Sequence, residues 1–374
     1  MTTYIWQLKQ WPKLRWNSES LLPLISQARL AQGKLLANVA SLGFKLNREA
    51  HAAILTEEAL TTSAIEGERL NKDSVRSSVA RHLGLSAAGL PTATRSVDGL
   101  VEVPLDATEH YETSLTAARL KRWQAALFPT GYSGLHRIRT GQWRGTERPM
   151  RVVSGAVGRE RVHYEAPPGH RVEQEMKRFL AWWRESLTRE DGLLRSGLAH
   201  FYFVIVHPFE DGNGRIARAL TEMALAQDEC QPTRYYSLSS QMLEERSAYY
   251  RMLKTCSKGD GDVTPWLQWY VECYIQAVKR AERLIGDVLA KATFWQRHSQ
   301  VDLSARQRKV MNRLLDVGKG RFQGGLTTRK YVSMAKVSRA TAFREISDLL
   351  EKGLLTQHPA RGRSTSYEVR FSQA

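Results

Sequence analysis

A chain of 374 residues, 42% of them hydrophobic, holds apolar material for two or three cores rather than one. Its 55 Lys and Arg against 38 Asp and Glu leave a net charge of +17. No apolar run approaches the roughly 20 residues of a membrane span, and the first residues show no basic start followed by an apolar core. Cys230, Cys256 and Cys273 are odd in number and lack metal-ligand spacing, so the expectation is a cytoplasmic protein with reduced thiols and no membrane partner.

Along the chain, Trp6, Trp11 and Trp16 recur every five residues with Pro12 between them, which fits no single helix face. They predict an aromatic lead-in packed in a core. Residues 21–46 predict a helix broken near Gly33 or Gly43, and residues 51–70 a second helix. Pro91 and Pro104 flank residues 86–108, which read as loop. Residues 115–127 form an amphipathic helical pattern, and residues 136–143, with Gly141-Gln-Trp-Arg, read as a turn or short helix. Residues 150–153 and 161–164 alternate around two glycines, which predicts a β-hairpin. Residues 201–206 suit a buried helix, and 216–225 have helical periodicity. Residues 235–253 read as a loop followed by a helix. Trp266, Trp269 and Tyr270, at helical spacing, belong to a core.

Between those two central helices lies His207-Pro-Phe-Glu-Asp-Gly-Asn-Gly-Arg-Ile-Ala-Arg218. Gly212 and Gly214 permit backbone angles other residues resist. A helix opening here presents unpaired N–H groups and the positive end of its dipole, which attract anions. Arg215 and Arg218, three apart, share a helix face and suit a polyphosphate. Asp211, just before the nest, would repel phosphate unless a divalent cation bridged them, as Mg²⁺ does with one or two carboxylates plus phosphates. His207 can take a proton near neutral pH. These residues point to phosphoryl or nucleotidyl transfer to a hydroxyl, with His207 as base.

The run resembles the Fic-type adenylyltransferase motif, HPFx(D/E)GNGRxxR, at every specified position. The resemblance implies that His207 deprotonates the target hydroxyl and that Asp211 holds Mg²⁺ (or Mn²⁺) on ATP. Gly212, Asn213 and Gly214 would form the anion nest, with Asn213 near the α-phosphate, while Arg215 and Arg218 hold the outer phosphates. Glycine at 214, where the phosphotransfer branch has lysine, favours AMP transfer. Thr62-Ser-Ala-Ile-Glu66-Gly67 is similar to the family's inhibitory motif, (S/T)xxxE(G/N). By that likeness Glu66, beside Thr62 and Gly67, pairs with Arg218 and blocks productive ATP binding. Tyr249 and Tyr250 resemble a tyrosine pair near adenine and ribose. The 150–164 hairpin resembles the flap that binds the target as an added strand. Two other functions suit the same residues: removal of AMP from a modified protein, with Glu66 orienting water, and nucleotide sensing by a transcriptional or docking regulator.

From Leu303 onward, 15 Lys and Arg stand against 5 Asp and Glu, a net charge of +10. Helices are predicted over 304–315, 327–335 and 338–352, with Ser304 and Ser338 as caps and Gly353 closing the last, then a hairpin over 354–369. This order looks like a winged helix-turn-helix. Arg339, Thr341 and Arg344 on its third helix, with Arg361 and Arg363 at the wing tip, would contact DNA; protein docking is the competing use.

The expected architecture is mainly α. An N-terminal helical domain (1–107) carries the inhibitory helix at about 51–70. A helical catalytic core follows (108–297) with its hairpin flap, then the winged helix (303–374). Helical enzymes of this size often pair, so a homodimer is the expected assembly.

Overall fold

Tryptophans anchor the start of the chain. In this computed structural model, which describes residues 3–87, 89–145, 150–154, 161–318, 322–358 and 365–371, Trp6 and Trp11 are buried and Trp16 half-buried. Trp11 Nε1 donates to the buried Glu175 carboxylate at 2.8 Å, and Trp6 Nε1 to the Glu165 carbonyl at 2.8 Å. The chain divides into two compact units, Met1–Val39 with Gly43–Ala281, and Ala40–Leu42 with Glu282–Ala374.

In the first unit, α1 (Ser18–Ala40) runs straight through Gly33. The break comes at Gly43, whose extended backbone precedes α2 (Phe44–Ile65). The segment carrying Thr62 and Glu66 therefore differs from the expected 51–70 helix. It starts earlier and stops at Ile65, leaving Glu66 as the C-cap residue and Gly67, at φ +88°, as the turn out. Glycine reaches this left-handed conformation without the steric cost other residues meet, so the helix ends there. Next comes α3 (Lys72–His82), capped by Asn71, whose side chain accepts the Ser74 N–H at 3.0 Å.

The loop expected over 86–108 is largely a helix, α4 (Arg95–Glu109), with Pro104 inside it. Thr94 caps its start, and Val97, Leu100, Val101, Val103 and Leu105 are buried. Burying each such side chain contributes roughly 1.5–3 kcal/mol, which together outweighs the roughly 3 kcal/mol cost of an interior proline. Gly99 lets α4 meet α5 (Ala117–Leu127) backbone to backbone, since a Cβ there would collide with the Ala126 carbonyl.

Residues 136–143, expected as a turn or short helix, instead contribute a strand. The pair β1 (Tyr132–Ser133) and β2 (His136–Arg137) is antiparallel around Gly134 at φ +57°. A second antiparallel pair, β3 (Arg151–Ser154) and β4 (Arg161–Glu165), has a register shift between Val152 and Val153; its connection, 155–160, lies outside the described residues. Then follow α6 (Val172–Glu185), α7 (Gly192–Val206), α8 (Asn213–Glu229), α9 (Leu238–Glu244), α10 (Arg246–Cys256) and α11 (Thr264–Arg297). Buried on nearly every side, α7 is the central helix of this unit, as its apolar run requires. Trp266, Trp269 and Tyr270 on α11 are buried.

The second unit has its own core of Val310, Met311, Leu314, Tyr331, Ile346 and Leu349. It comprises α12 (Ala305–Val317), α13 (Thr328–Ala335), α14 (Arg339–Glu351) and the antiparallel pair β5 (Leu355–Gln357) and β6 (Tyr367–Val369). Ser304, Thr327 and Ser338 cap the three helices. Arg339 and Arg344 are exposed on α14, and so is Phe343 between them; Thr341 is half-buried with its hydroxyl 3.0 Å from that of Ser338. Arg361 and Arg363 lie outside the described residues. All three cysteines are free thiols, Cys256 and Cys273 buried and Cys230 exposed. Among the described residues no helix is long and apolar enough to cross a membrane.

Candidate active site

The site is built where α7 stops and α8 begins. His207 ends α7 in the left-handed conformation (φ +49°), its N–H still bonded to the Phe203 carbonyl at 2.9 Å. Proline at 208 lacks the N–H to continue the helix. Phe209 is fully buried against Trp143, ring centroids 4.9 Å apart. Asn213 then staples the loop: its Oδ1 accepts the Phe209 N–H at 2.9 Å and its Nδ2 donates to the Phe209 carbonyl at 2.8 Å. Gly212 turns at φ +88°, and an added Cβ would stand 2.9 Å from the Phe128 ring. Beyond it α8 opens with first-turn amides that have no intrahelical acceptor. Asn213 thus shapes the loop through its Oδ1 and one of the two hydrogens on its Nδ2.

His207 Nδ1 lies 3.2 Å from the Val204 carbonyl. A carbonyl only accepts, so Nδ1 carries the proton and Nε2 keeps its lone pair. Burial first, and the Arg144 guanidinium in addition, lower its pKa to about 4; Nε2 is thus unprotonated at neutral pH. His200, seven residues earlier on α7, is lowered to about 3 by complete burial, with Arg218 adding. It is a core residue, bonded to Thr221 (3.1 Å) and to the Tyr249 hydroxyl (2.9 Å).

Across the loop, Arg218 is buried and bound by the end of α2. Its Nε donates to Thr62 Oγ1 at 2.6 Å, and its Nη2 to the Thr62 carbonyl at 3.1 Å and to Glu66 Oε1 at 2.5 Å. The same carboxylate oxygen lies over Gly214, where any Cβ would collide with it. Burial pulls the Arg218 pKa down, but the Glu66 carboxylate, with Tyr249 and Tyr250 adding, more than offsets it and the net shift is upward. Arg215 lies over the Phe128 ring (4.7 Å), 3.4 Å from Glu68 and 3.7 Å from Asp211. Arg215 Nε and Arg218 Nη1 are buried with no hydrogen-bond partner. Buried donors without an acceptor are costly, and an anion between the two arginines would supply one.

Asp211 is held by the Ser133 hydroxyl on Oδ2 and the Gly212 N–H on Oδ1 (2.5 Å), with 41% of its side chain exposed. Glu210 is turned away, accepting the Arg139 N–H at 2.9 Å. Among the described residues no group of three or more His, Cys, Asp and Glu could hold a metal ion unaided. One exposed carboxylate beside an anion nest fits Mg²⁺, a cation that takes one or two carboxylates together with substrate phosphates. The two tyrosines separate: Tyr249 is buried toward His200, while Tyr250, 40% exposed, donates to the Ile65 carbonyl at 3.2 Å.

Thus His207, Asp211, the Gly212–Gly214 turn, Arg215, Arg218, Thr62 and Glu66 meet in one place. Residues that sequence reasoning missed are Ser133, Glu68, and above all Arg144, which lies in a noted Gly-Gln-Trp-Arg run but has mostly backbone partners. Glu58, one turn before Thr62 on α2, was missed as well. It is buried and accepts hydrogen bonds from Ser237 (2.6 Å) and Ser239, fastening the end of α2 to the start of α9.

Residues 114–225 match the model of the Fic/DOC family. Over these residues the chain is similar to Fic domains. Ahead of them, residues 4–85 match a domain of unknown function, DUF4172. The chain resembles "Protein adenylyltransferase fic-1" of Caenorhabditis elegans, 30% identical over 116 residues, 29% of this chain and 21% of that protein. It also resembles "Protein adenylyltransferase Fic" of Drosophila erecta, 31% identical over 126 residues, 33% of this chain and 24% of the relative. The match therefore spans under a quarter of the length of these two relatives. Among solved structures, a Fic family protein from Desulfovibrio desulfuricans G20 aligns over 95% of this chain and 97% of its own, with TM-score 0.54 and 20% identity. A Fic domain containing signaling protein from Bacteroides thetaiotaomicron aligns over 70% of this chain and 97% of its own, with TM-score 0.54 and 17% identity. The fold is the mainly α Fic fold.

Proposed function

We propose that this protein transfers AMP from ATP to a hydroxyl side chain of a target protein and that Glu66 restrains the reaction. The observation that carries this reading is an anion already seated in the nest, the chain's own Glu66 carboxylate, over Gly214 and on Arg218. A site that holds one anion by a helix start and a buried guanidinium suits phosphate once that anion leaves. The relatives named protein adenylyltransferase support ATP as the substrate.

In this reading His207 Nε2 takes the target hydroxyl's proton. The hydroxyl oxygen bonds to the α-phosphorus, the bond to the bridging oxygen breaks, and pyrophosphate leaves. The α8 amides and Arg215 stabilise charge on the phosphates, the electrostatic contribution that dominates such reactions. Asp211, oriented by Ser133, would hold Mg²⁺, which supplies positive charge between the carboxylate and the phosphates. Tyr250 faces the site, and Tyr249 supports it from the core. The β3–β4 pair would take the target as an added strand, setting its hydroxyl by backbone register. For the C-terminal unit the proposal is DNA contact through Arg339, Thr341 and Arg344; phosphate contacts would make affinity fall steeply with salt.

The test is auto-modification with α-labelled ATP and Mg²⁺ for wild type, Glu66→Gly, and Glu66→Gly with His207→Ala. Label that is strong in the single variant and gone in the double supports transfer, base and restraint together. No label in any of them, with ATP still bound, refutes transfer. Loss of AMP removal from a modified protein on Glu66→Gly would identify the opposite reaction.

A further inference from the structure

The residue that joins the flap to the base is Arg144. Its main-chain N–H donates to the Pro208 carbonyl at 2.9 Å, its Nε to the His207 carbonyl at 2.7 Å, and its Nη2 to the carbonyl of Pro167, just past β4. The side chain is only 5% exposed, and Nη1 has no partner. Tyr164 on β4 adds a second tie, its hydroxyl donating to the Ile205 carbonyl at 2.6 Å. The root of the flap thus holds the last turn of α7 and the residue that ends it.

A buried guanidinium bonded to neutral carbonyls is an expensive way to fill space. Burial, opposed in part by Tyr164, lowers its pKa to about 10. The planar fork does, however, fix the direction of two separate carbonyls at once, with a rigidity that a freely rotating ammonium lacks and with bonds an apolar chain cannot make. One of them belongs to His207, which sits at φ +49°, a conformation that non-glycine residues hold only when the surroundings impose it. The charged groups facing the imidazole are Arg144, Glu66 and Asp211. Arg144 is the cation among them and disfavours an imidazolium beside it.

We infer that Arg144 is a positioning residue for the base: it locks the His207 backbone to the flap root so that Nε2 faces the target hydroxyl. This rests on His207 being the base of the proposed reaction.

The experiment uses the full chain with Glu66→Gly as parent and adds Arg144→Gln or Arg144→Lys. Two properties are read: kcat and KM for ATP in AMP transfer, and the pH midpoint of the His207 imidazole by NMR, assigned with His207→Ala. Both variants are expected to lower kcat roughly 10- to 100-fold through misplacement of the base, with KM for ATP unchanged. The midpoint should rise in Arg144→Gln, which lacks the charge, and stay in Arg144→Lys, which keeps it. An unmoved midpoint in Arg144→Gln, or a loss confined to KM for ATP and thermal stability, overturns the inference and leaves Arg144 a structural residue. If Arg144→Gln does not fold, kcat against KM in Arg144→Lys decides. A parent that transfers no label defeats the AMP-transfer reading instead, while the imidazole midpoint still tests Arg144.

Discussion

Replacing Glu66 by alanine should tighten ATP binding and weaken the empty protein together. The Glu66–Arg218 contact is 2.5 Å, with the Arg218 side chain 3% exposed and that of Glu66 33% exposed. A hydrogen bond to a charged group contributes roughly 1.5–3 kcal/mol; with a third of the carboxylate in water, about 2 kcal/mol is a reasonable value for this one. ATP must displace that contact to reach Arg218 and Gly214. Its removal should therefore tighten ATP binding roughly 30-fold, at about 1.4 kcal/mol per tenfold. Without ATP the sign reverses. Arg218 loses a counter-charge but keeps Thr62 Oγ1 and the Thr62 carbonyl. The cost is then about 2 kcal/mol rather than the roughly 3–5 kcal/mol of a buried charge stripped of its partner. ATP at about 100 times its Kd would return roughly 2.7 kcal/mol. Titration calorimetry with ATP and Mg²⁺ reads the affinity, and urea unfolding with and without ATP reads the stability. Glu66→Gln, which keeps the shape and loses the charge, should fall between. Equal ATP affinity in all three proteins would refute the idea that Glu66 competes with phosphate.

Three further outcomes follow from the geometry. Gly214→Ala places a Cβ where the Glu66 oxygen now lies; in the Glu66→Gly background it should weaken ATP binding roughly tenfold, about 1.4 kcal/mol, because the same space must take phosphate. Gly99→Ala drives a Cβ into the Ala126 carbonyl of α5; overpacking against backbone should cost about 3 kcal/mol or more, seen as a lower melting temperature with ATP affinity per folded molecule unchanged. For pH, His200 and His207 have pKa values lowered to about 3 and about 4, whereas an unfolded histidine titrates near 6.5. The unfolded chain therefore binds more protons below about pH 6.5, and stability should decline from there toward pH 4 by up to about 1.4 kcal/mol per unit for each histidine. AMP transfer by His207 should keep its base form well below pH 6.5; urea unfolding at pH 7 and 5, with a transfer-rate profile, checks both.

How much of this was legible depended on where each residue's partner sits in the chain. The 207–218 loop is local: two glycines, a proline and an asparagine within twelve residues define a turn that opens a helix. α4 was hidden because Pro104 reads as a breaker, and the cost of a proline is visible in sequence while the burial of Val97, Leu100 and Val101 that offsets it is not. The end of α2 was misplaced because Glu66 and Gly67 continue a plausible helical pattern, and only the φ of +88° at Gly67 marks the stop. The Glu66–Arg218 pair, 152 positions apart, came from resemblance to a family and not from any pattern in this chain.

Arg144 shows the limit most sharply. Its charge has no carboxylate to announce a partner. What it holds are the carbonyls of Pro167 and His207, 23 and 63 positions away. Every residue has a carbonyl, so composition and spacing carry no trace of which one an arginine will find. Asn213 shows the converse. Its place beside two glycines suggests a ligand, and what the sequence does not show is that both polar atoms of its side chain also close the loop on Phe209. The backbone of this loop is thus set by side chains: Asn213 holds Phe209 from within it, and Arg144 holds His207 and Pro208 from the root of the β3–β4 pair. Substitutions that spare every proposed phosphate contact but loosen these two should disable the site nearly as well as removing the contacts themselves.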